Sequence, residues 1–109
     1  DLERIKLFYG DNLAFRKKMF QELLRFIPQY FADLQVAIAA QNFDQVVYHA
    51  HRLRGSLTSA SVHRVPEWCE AIETAATQED FVEIQSLEAL IRVGLEETIA
   101  FLEHYVETH

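Results

Sequence analysis

The chain has little of what turns are made from: three glycines and two prolines in 109 residues. An all-β fold, which needs a turn every few residues, is excluded on that ground. One cysteine, Cys69, excludes an internal disulfide and a cysteine-based zinc site, and a lone cysteine fits a reducing cytoplasm. No apolar run approaches the roughly 18 residues that a membrane span needs, and no signal-peptide pattern is visible. A glycine-rich phosphate loop is also missing, so no recognisable route to ATP exists. Basic side chains are scarce in one half only. Residues 1–64 carry nine basic and six acidic side chains, a net of +3, whereas residues 65–109 carry one basic and eleven acidic, a net of −10. The total of −7 argues against non-specific nucleic-acid binding.

What is present is apolar material at helical spacing. Half of the residues are apolar, with eight Phe, four Tyr and one Trp, enough for the core of one domain spanning residues 1–109. Leu2, Ile5, Leu7 and Phe8 predict a short amphipathic helix ending at Gly10, with Asp11 or Asn12 capping the next. Phe15, Met19, Phe20, Leu23, Leu24 and Ile27 recur at three- and four-residue steps. Pro28 predicts a break or kink, with more helix through Phe31, Leu34, Val36 and Ile38. Asn42 with Gln45 fits a capping box for a helix from Phe43 to about Ala60. Ser61 to Arg64 reads as a connection, and Pro66 suits the first turn of a helix with Val65, Trp68, Cys69, Ile72 and Ala76 inward. Thr77 with Asp80 signals another cap. Phe81, Ile84, Leu87, Ile91, Leu95, Thr98, Leu102 and Tyr105 then mark one long helix, in which Gly94 suits close packing. The expected fold is all-α, an antiparallel four-helix bundle with a short additional N-terminal helix. A metal or cofactor bundle would need inward Glu-x-x-His pairs, and none occurs.

Within the helix beginning at Phe43, positions advance by about 100° each. Phe43, Val46, Ala50, Leu53 and Leu57 fall within an arc of roughly 80°, and His51 lies about 120° from its centre. His51 is therefore expected on the rim or outside, with Val47 half-buried beside it. Gly55 lies one turn on and nearly in line; a side chain there would lean back toward the imidazole. Glycine leaves that approach clear, at a cost of about 1 kcal/mol of helix propensity relative to alanine. Arg54, three residues after His51, puts a permanent cation on the same side. An exposed imidazole with a cleared approach and a cation one turn away suits a group that accepts phosphate. His49 lies about 200° from His51 and cannot share a metal ion with it. His63, His104 and His109 have no partners at metal-ligand spacing, so no metal site is expected.

The stretch Ala50-His51-Arg52-Leu53-Arg54-Gly55-Ser56 resembles the A-H-x-L-K-G-S signature of histidine-containing phosphotransfer (HPt) domains. Cys69, Ile72 and Glu73 also fall where that family often has a cysteine, an aliphatic residue and a Glu or Gln. The resemblance covers essentially the whole chain. It implies a helical bundle that relays phosphoryl groups between receiver domains. His51 would be the phosphoacceptor, Arg54 the cation in place of the usual lysine, Gly55 the glycine that lets a receiver approach, and Glu73 the residue that orients the imidazole. Leu57, where a second small residue is common, and Ser61, where a glycine is frequent, depart from the pattern.

On this reading Nε2 attacks the phosphorus of a receiver's aspartyl phosphate while Glu73 holds Nδ1–H. The domain accepts and donates without kinase activity of its own and needs no cofactor, the divalent metal belonging to the receiver. Val47, Tyr48, Arg52 and Thr58 are the expected docking residues around His51. The expected partners are response-regulator receiver domains, with no nucleic acid and no direct membrane contact, and the chain is expected to be a monomer. It begins mid-pattern at Asp1, which suggests a fragment of a larger hybrid sensor kinase, its cytoplasmic C-terminal part. The competing expectation is a helical interaction domain of the same family that binds a partner without chemistry.

Overall fold

A computed structural model of the chain describes residues 13–58 and 64–109. They form four helices and no strand: α1 (Leu13–Ala39), α2 (Phe43–Leu57), α3 (Val65–Thr77) and α4 (Phe81–Thr108). The expected helix over residues 2–10, its neighbouring cap at Asp11 or Asn12, and most of the 61–64 connection lie outside the described residues. The principal contacts join α1 to α2, α2 to α3, α3 to α4, and α4 back to α1. Pairings across the seams run in opposite directions. Arg16 near the start of α1 meets Tyr105 near the end of α4, and on α2 and α3 His51 meets Glu73 while Arg54, three residues later, meets Glu70, three residues earlier. The result is an antiparallel four-helix bundle. Its long axis of 43 Å is set by α4, whose 28 residues span about 42 Å at 1.5 Å per residue. α2 and α3 are half that length, so the four-helix section occupies only part of the long pair.

The two short joints are built alike. Gln41 (φ 52°) and Glu79 (φ 56°) take left-handed backbone conformations. Each lets the next amide reach back to close the preceding helix, Asn42 N–H onto the Ala37 carbonyl and Asp80 N–H onto the Ala75 carbonyl. Each following side chain then caps the next helix: Asn42 Oδ1 accepts from Gln45 N–H at 3.3 Å, and Asp80 Oδ1 from Glu83 N–H at 3.2 Å. Two expectations are corrected here. The reciprocal half of the capping box at Asn42 has no free amide to use, because that amide already closes α1. The last cap is Asp80, while Thr77 sits inside α3 and donates its hydroxyl to the Glu73 carbonyl.

Pro28 does not break α1. It costs the Leu24 carbonyl its helical donor, but it lies on the exposed side, where water can serve that carbonyl. Ile27 and Leu34, both fully buried, fasten the two halves into one core. The inward stripe of α1 is also rotated from the expected one. Arg16, Phe20, Leu23 and Ile27 are buried, whereas Phe15 is exposed, Met19 half-buried and Val36 exposed. The stripe admits Arg16 because its long stem is apolar and its guanidinium lies 5.9 Å over the Tyr105 ring. The other faces follow the pattern. Val46, Ala50, Leu53 and Leu57 of α2 are fully buried, as are Val65, Cys69 and Ile72 of α3. On α4, Ile84, Leu87, Ile91, Gly94, Leu95, Thr98, Leu102 and Tyr105 face inward. Phe43, Trp68 and Phe81 are half-buried against this core. Among the described residues, no helix is long and apolar enough to cross a membrane.

Candidate functional site

His51 stands on the outward side of α2 with 68% of its side chain exposed. The four fully buried residues Val46, Ala50, Leu53 and Leu57 fix the rotation of the helix and so hold the imidazole outward. Across the α2–α3 seam, His51 meets Glu73, Arg54 meets both Glu73 and Glu70, and Thr58 lines a cleft with Pro66.

Arg54 is the hub of the site. Its Nη2 lies 2.9 Å from His51 Nδ1, within hydrogen-bond distance. Its Nε lies 3.3 Å from Glu73 Oε2, and its Nη1 lies 4.0 Å from Glu70 Oε2. Glu73 reaches the same ring nitrogen, with Oε1 3.4 Å from His51 Nδ1. Its side chain is only 18% exposed. Its Oε2 is buried and accepts no hydrogen bond among the described residues, so the contact with Arg54 Nε is an ion pair at distance without hydrogen-bond alignment. Nδ1 therefore faces inward onto a cation and a carboxylate. Nε2, on the opposite edge of the ring, makes no hydrogen bond among the described residues.

Beneath this cluster lies Cys69, fully buried. Burial pushes its thiol up from 9.0 to about 12; the nearby Glu73 carboxylate adds to that, and Arg54 opposes it. A thiol held protonated in this way is packing material, not a nucleophile.

Gly55 is exposed, and a Cβ built on it would meet nothing within 4 Å among the described residues. Internal packing among the described residues thus gives no reason for a glycine in the middle of this helix. Two clefts flank His51. One, of about 330 Å³, is lined by Arg54, Gly55, Thr58, Pro66, Glu67 and Glu70. The other, of about 580 Å³ and mostly apolar, is lined by Asp44, Val47, Tyr48, Arg52 and Glu73. Val47, Tyr48, Arg52 and Thr58, the expected docking residues, are thus divided between the two clefts.

Arg52 points away from Arg54. Its guanidinium lies 4.1 Å from the centre of the Tyr30 ring and 3.9 Å from Asp33, both on α1. His49 is half-buried on the α1 side and lines a separate groove with Asp33 and Val36, apart from His51. Among the described residues, no group of three or more His, Cys, Asp or Glu side chains is arranged to hold a metal ion. The sequence reading missed Glu70, Tyr30 and Asp33. Glu70 was open to discovery, one turn before Glu73 on the same face; Tyr30 and Asp33 carry no local signal, because their link to Arg52 crosses between helices.

A four-helix bundle that presents an outward histidine from the middle of one helix defines a class of histidine-bearing helical modules. The family model of the Hpt domain matches residues 18–104, and the chain belongs to this family. Hpt domains serve in two-component phosphotransfer and interact with response-regulator receiver domains in general. No curated protein and no solved structure matches the chain.

Proposed function

We propose that the chain is a phosphorelay intermediate. His51 accepts a phosphoryl group from the aspartyl phosphate of one receiver domain and passes it to another. The observation that carries this reading is the two-sidedness of the His51 ring. Nδ1 is backed by Arg54 at 2.9 Å and Glu73 at 3.4 Å, while the Nε2 edge faces solvent between two clefts. Histidine changes charge between about pH 5 and 8, so a neutral imidazole with a free lone pair is available under ordinary conditions.

In the forward step the Nε2 lone pair forms a bond to phosphorus. The bond from phosphorus to the aspartyl oxygen breaks, and its electron pair returns to the receiver's carboxylate. Nδ1 keeps its proton, and Glu73 balances the positive charge that develops on the ring. Arg54 supplies a cation for the phosphoryl oxygens, and Gly55 leaves room for the receiver. The receiver contributes the divalent metal; this chain contributes the acceptor and its setting. Val47, Tyr48, Arg52 and Thr58 form the docking rim, a modest surface suited to a transient complex between single copies of each partner.

The test is transfer from a panel of receiver domains carrying labelled aspartyl phosphate. The wild type takes up label as acid-labile, alkali-stable phosphohistidine, and His51→Gln takes up none. Because His51 is an exposed side chain, the variant keeps the fold, with stability changed by no more than about 0.5 kcal/mol. Uptake by His51→Gln places the acceptor elsewhere and overturns the reading; no uptake by the wild type from any receiver overturns it as well and leaves an interaction domain without chemistry.

A further inference from the structure

We propose that Arg54 sets which nitrogen of His51 carries the proton, and that drawing Arg54 onto an incoming oxyanion arms Nε2. The inference rests on the phosphoryl-carrier reading above and adds a control to it.

A guanidinium has donors and no acceptor. A hydrogen bond from Arg54 Nη2 to His51 Nδ1, at 2.9 Å, therefore requires the lone pair on Nδ1. A neutral ring in that state carries its proton on Nε2 and has no lone pair there with which to attack phosphorus. Glu73 makes the opposite demand. Its carboxylate only accepts, so Oε1 at 3.4 Å from the same Nδ1 favours a proton on that nitrogen and leaves Nε2 free. One nitrogen cannot satisfy both. Arg54 is nearer and aligned, so it sets the resting state.

Arg54 is also placed to leave. Its other contacts are an unaligned ion pair to Glu73 at 3.3 Å and a 4.0 Å approach to Glu70, whose side chain is 71% exposed. The cleft beside it is lined by Gly55, which has no side chain of its own to obstruct entry. A phosphoryl oxyanion entering there offers the guanidinium charge-assisted, bidentate hydrogen bonds, stronger than one to a neutral ring nitrogen. Once Arg54 turns to the oxyanion, Glu73 alone addresses Nδ1. Nε2 gives its proton to water and Nδ1 takes one from water. The ring is then the nucleophile described above, armed where its substrate has docked.

The test reads the tautomer directly, by long-range ¹H–¹⁵N correlation on protein with ¹⁵N-labelled histidine. The pH is about 8.5, about two units above the titration of a free imidazole. The wild type shows His51 protonated on Nε2. Arg54→Met raises the ratio of the Nδ1–H to the Nε2–H form about three- to tenfold, the range of one exposed hydrogen bond. Adding Glu73→Ala to Arg54→Met lowers the ratio again, by the share that Glu73 contributes. Inorganic phosphate, the oxyanion probe, perturbs the Arg54 guanidinium carbon resonance in the wild type and moves His51 toward the Arg54→Met pattern. A wild-type ring protonated on Nδ1, or a ratio indifferent to Arg54→Met, overturns the proposal. Phosphate that leaves either Arg54 or His51 unmoved overturns the release step. Phosphoryl uptake is measured separately. A chain that accepts phosphoryl groups with a tautomer indifferent to Arg54 overturns this inference alone. A tautomer that follows Arg54 in a chain that never accepts a phosphoryl group overturns the carrier reading.

Discussion

Gly55 offers the sharpest division between a residue kept for the fold and one kept for a partner. Glycine in a helix interior is about 0.8–1 kcal/mol less favourable than alanine. A Cβ at position 55 meets nothing within 4 Å among the described residues, and the position is exposed, so Gly55→Ala loses no packing there and forces none of these neighbours to move. The expected result is a gain of about 0.5–1 kcal/mol, a rise in Tm of roughly 2–6 °C for a domain of this size. Urea unfolding followed by far-ultraviolet circular dichroism measures it. A larger side chain, as in Gly55→Gln, also has room within the chain and keeps the fold, but it leans back toward His51 and into the receiver's approach. Phosphoryl transfer should then slow at least tenfold, equivalent to about 1.4 kcal/mol of barrier. The two readouts move in opposite directions, which neither a packing role nor a neutral surface role produces. A loss of stability in Gly55→Ala refutes the inference that packing does not need the glycine. Unchanged transfer in Gly55→Gln refutes the access argument.

Two further predictions concern parts of the fold near and far from the site. Burial, assisted by Glu73, raises the Cys69 thiol from 9.0 to about 12, so the folded chain holds this proton more tightly than the unfolded chain does. Its contribution to stability is complete below about pH 9 and is lost as the pH climbs toward 12. Cys69 should therefore resist a thiol reagent in the native protein at mildly alkaline pH and react at once in urea; ready native labelling counts against the burial argument. At the α3–α4 joint, Asp80→Ala removes the cap on Glu83 N–H and should cost about 1 kcal/mol. Glu79→Gly relieves a left-handed residue at φ 56° and should add about 0.5–1 kcal/mol. Denaturant midpoints for the pair should shift in opposite senses, and a shared sign would contradict the joint geometry.

Much of this protein is legible along single helices. The inward faces of α2, α3 and α4 follow from apolar spacing, because a helix turns by a constant angle and the core accepts only one side of it. The same rule sets His51 outward and aligns Gly55 and Arg54 with it. The rule falters on α1. Two adjacent stripes there, one through Phe15 and Met19 and one through Arg16 and Phe20, are both plausible until a partner helix chooses. Tyr105 makes Arg16 the buried member. Pro28 fails to break the helix for a related reason: the propensity against helix is real, but Ile27 and Leu34 are both held in the same core, and that outweighs one lost amide.

The site divides the same way. That His51 is exposed, with a cation one turn away and no side chain over it, belongs to one helix and so to the sequence by itself, and the resemblance then suggested what such a histidine carries. The choice of nitrogen belongs to the tertiary structure. Glu73 and Glu70 come from another helix, and their distances to His51 and Arg54 depend on how α2 and α3 slide and rotate against each other. No periodicity within either helix records that register. The contest between Arg54 and Glu73 for Nδ1, from which the proposed control arises, exists only where the two helices meet.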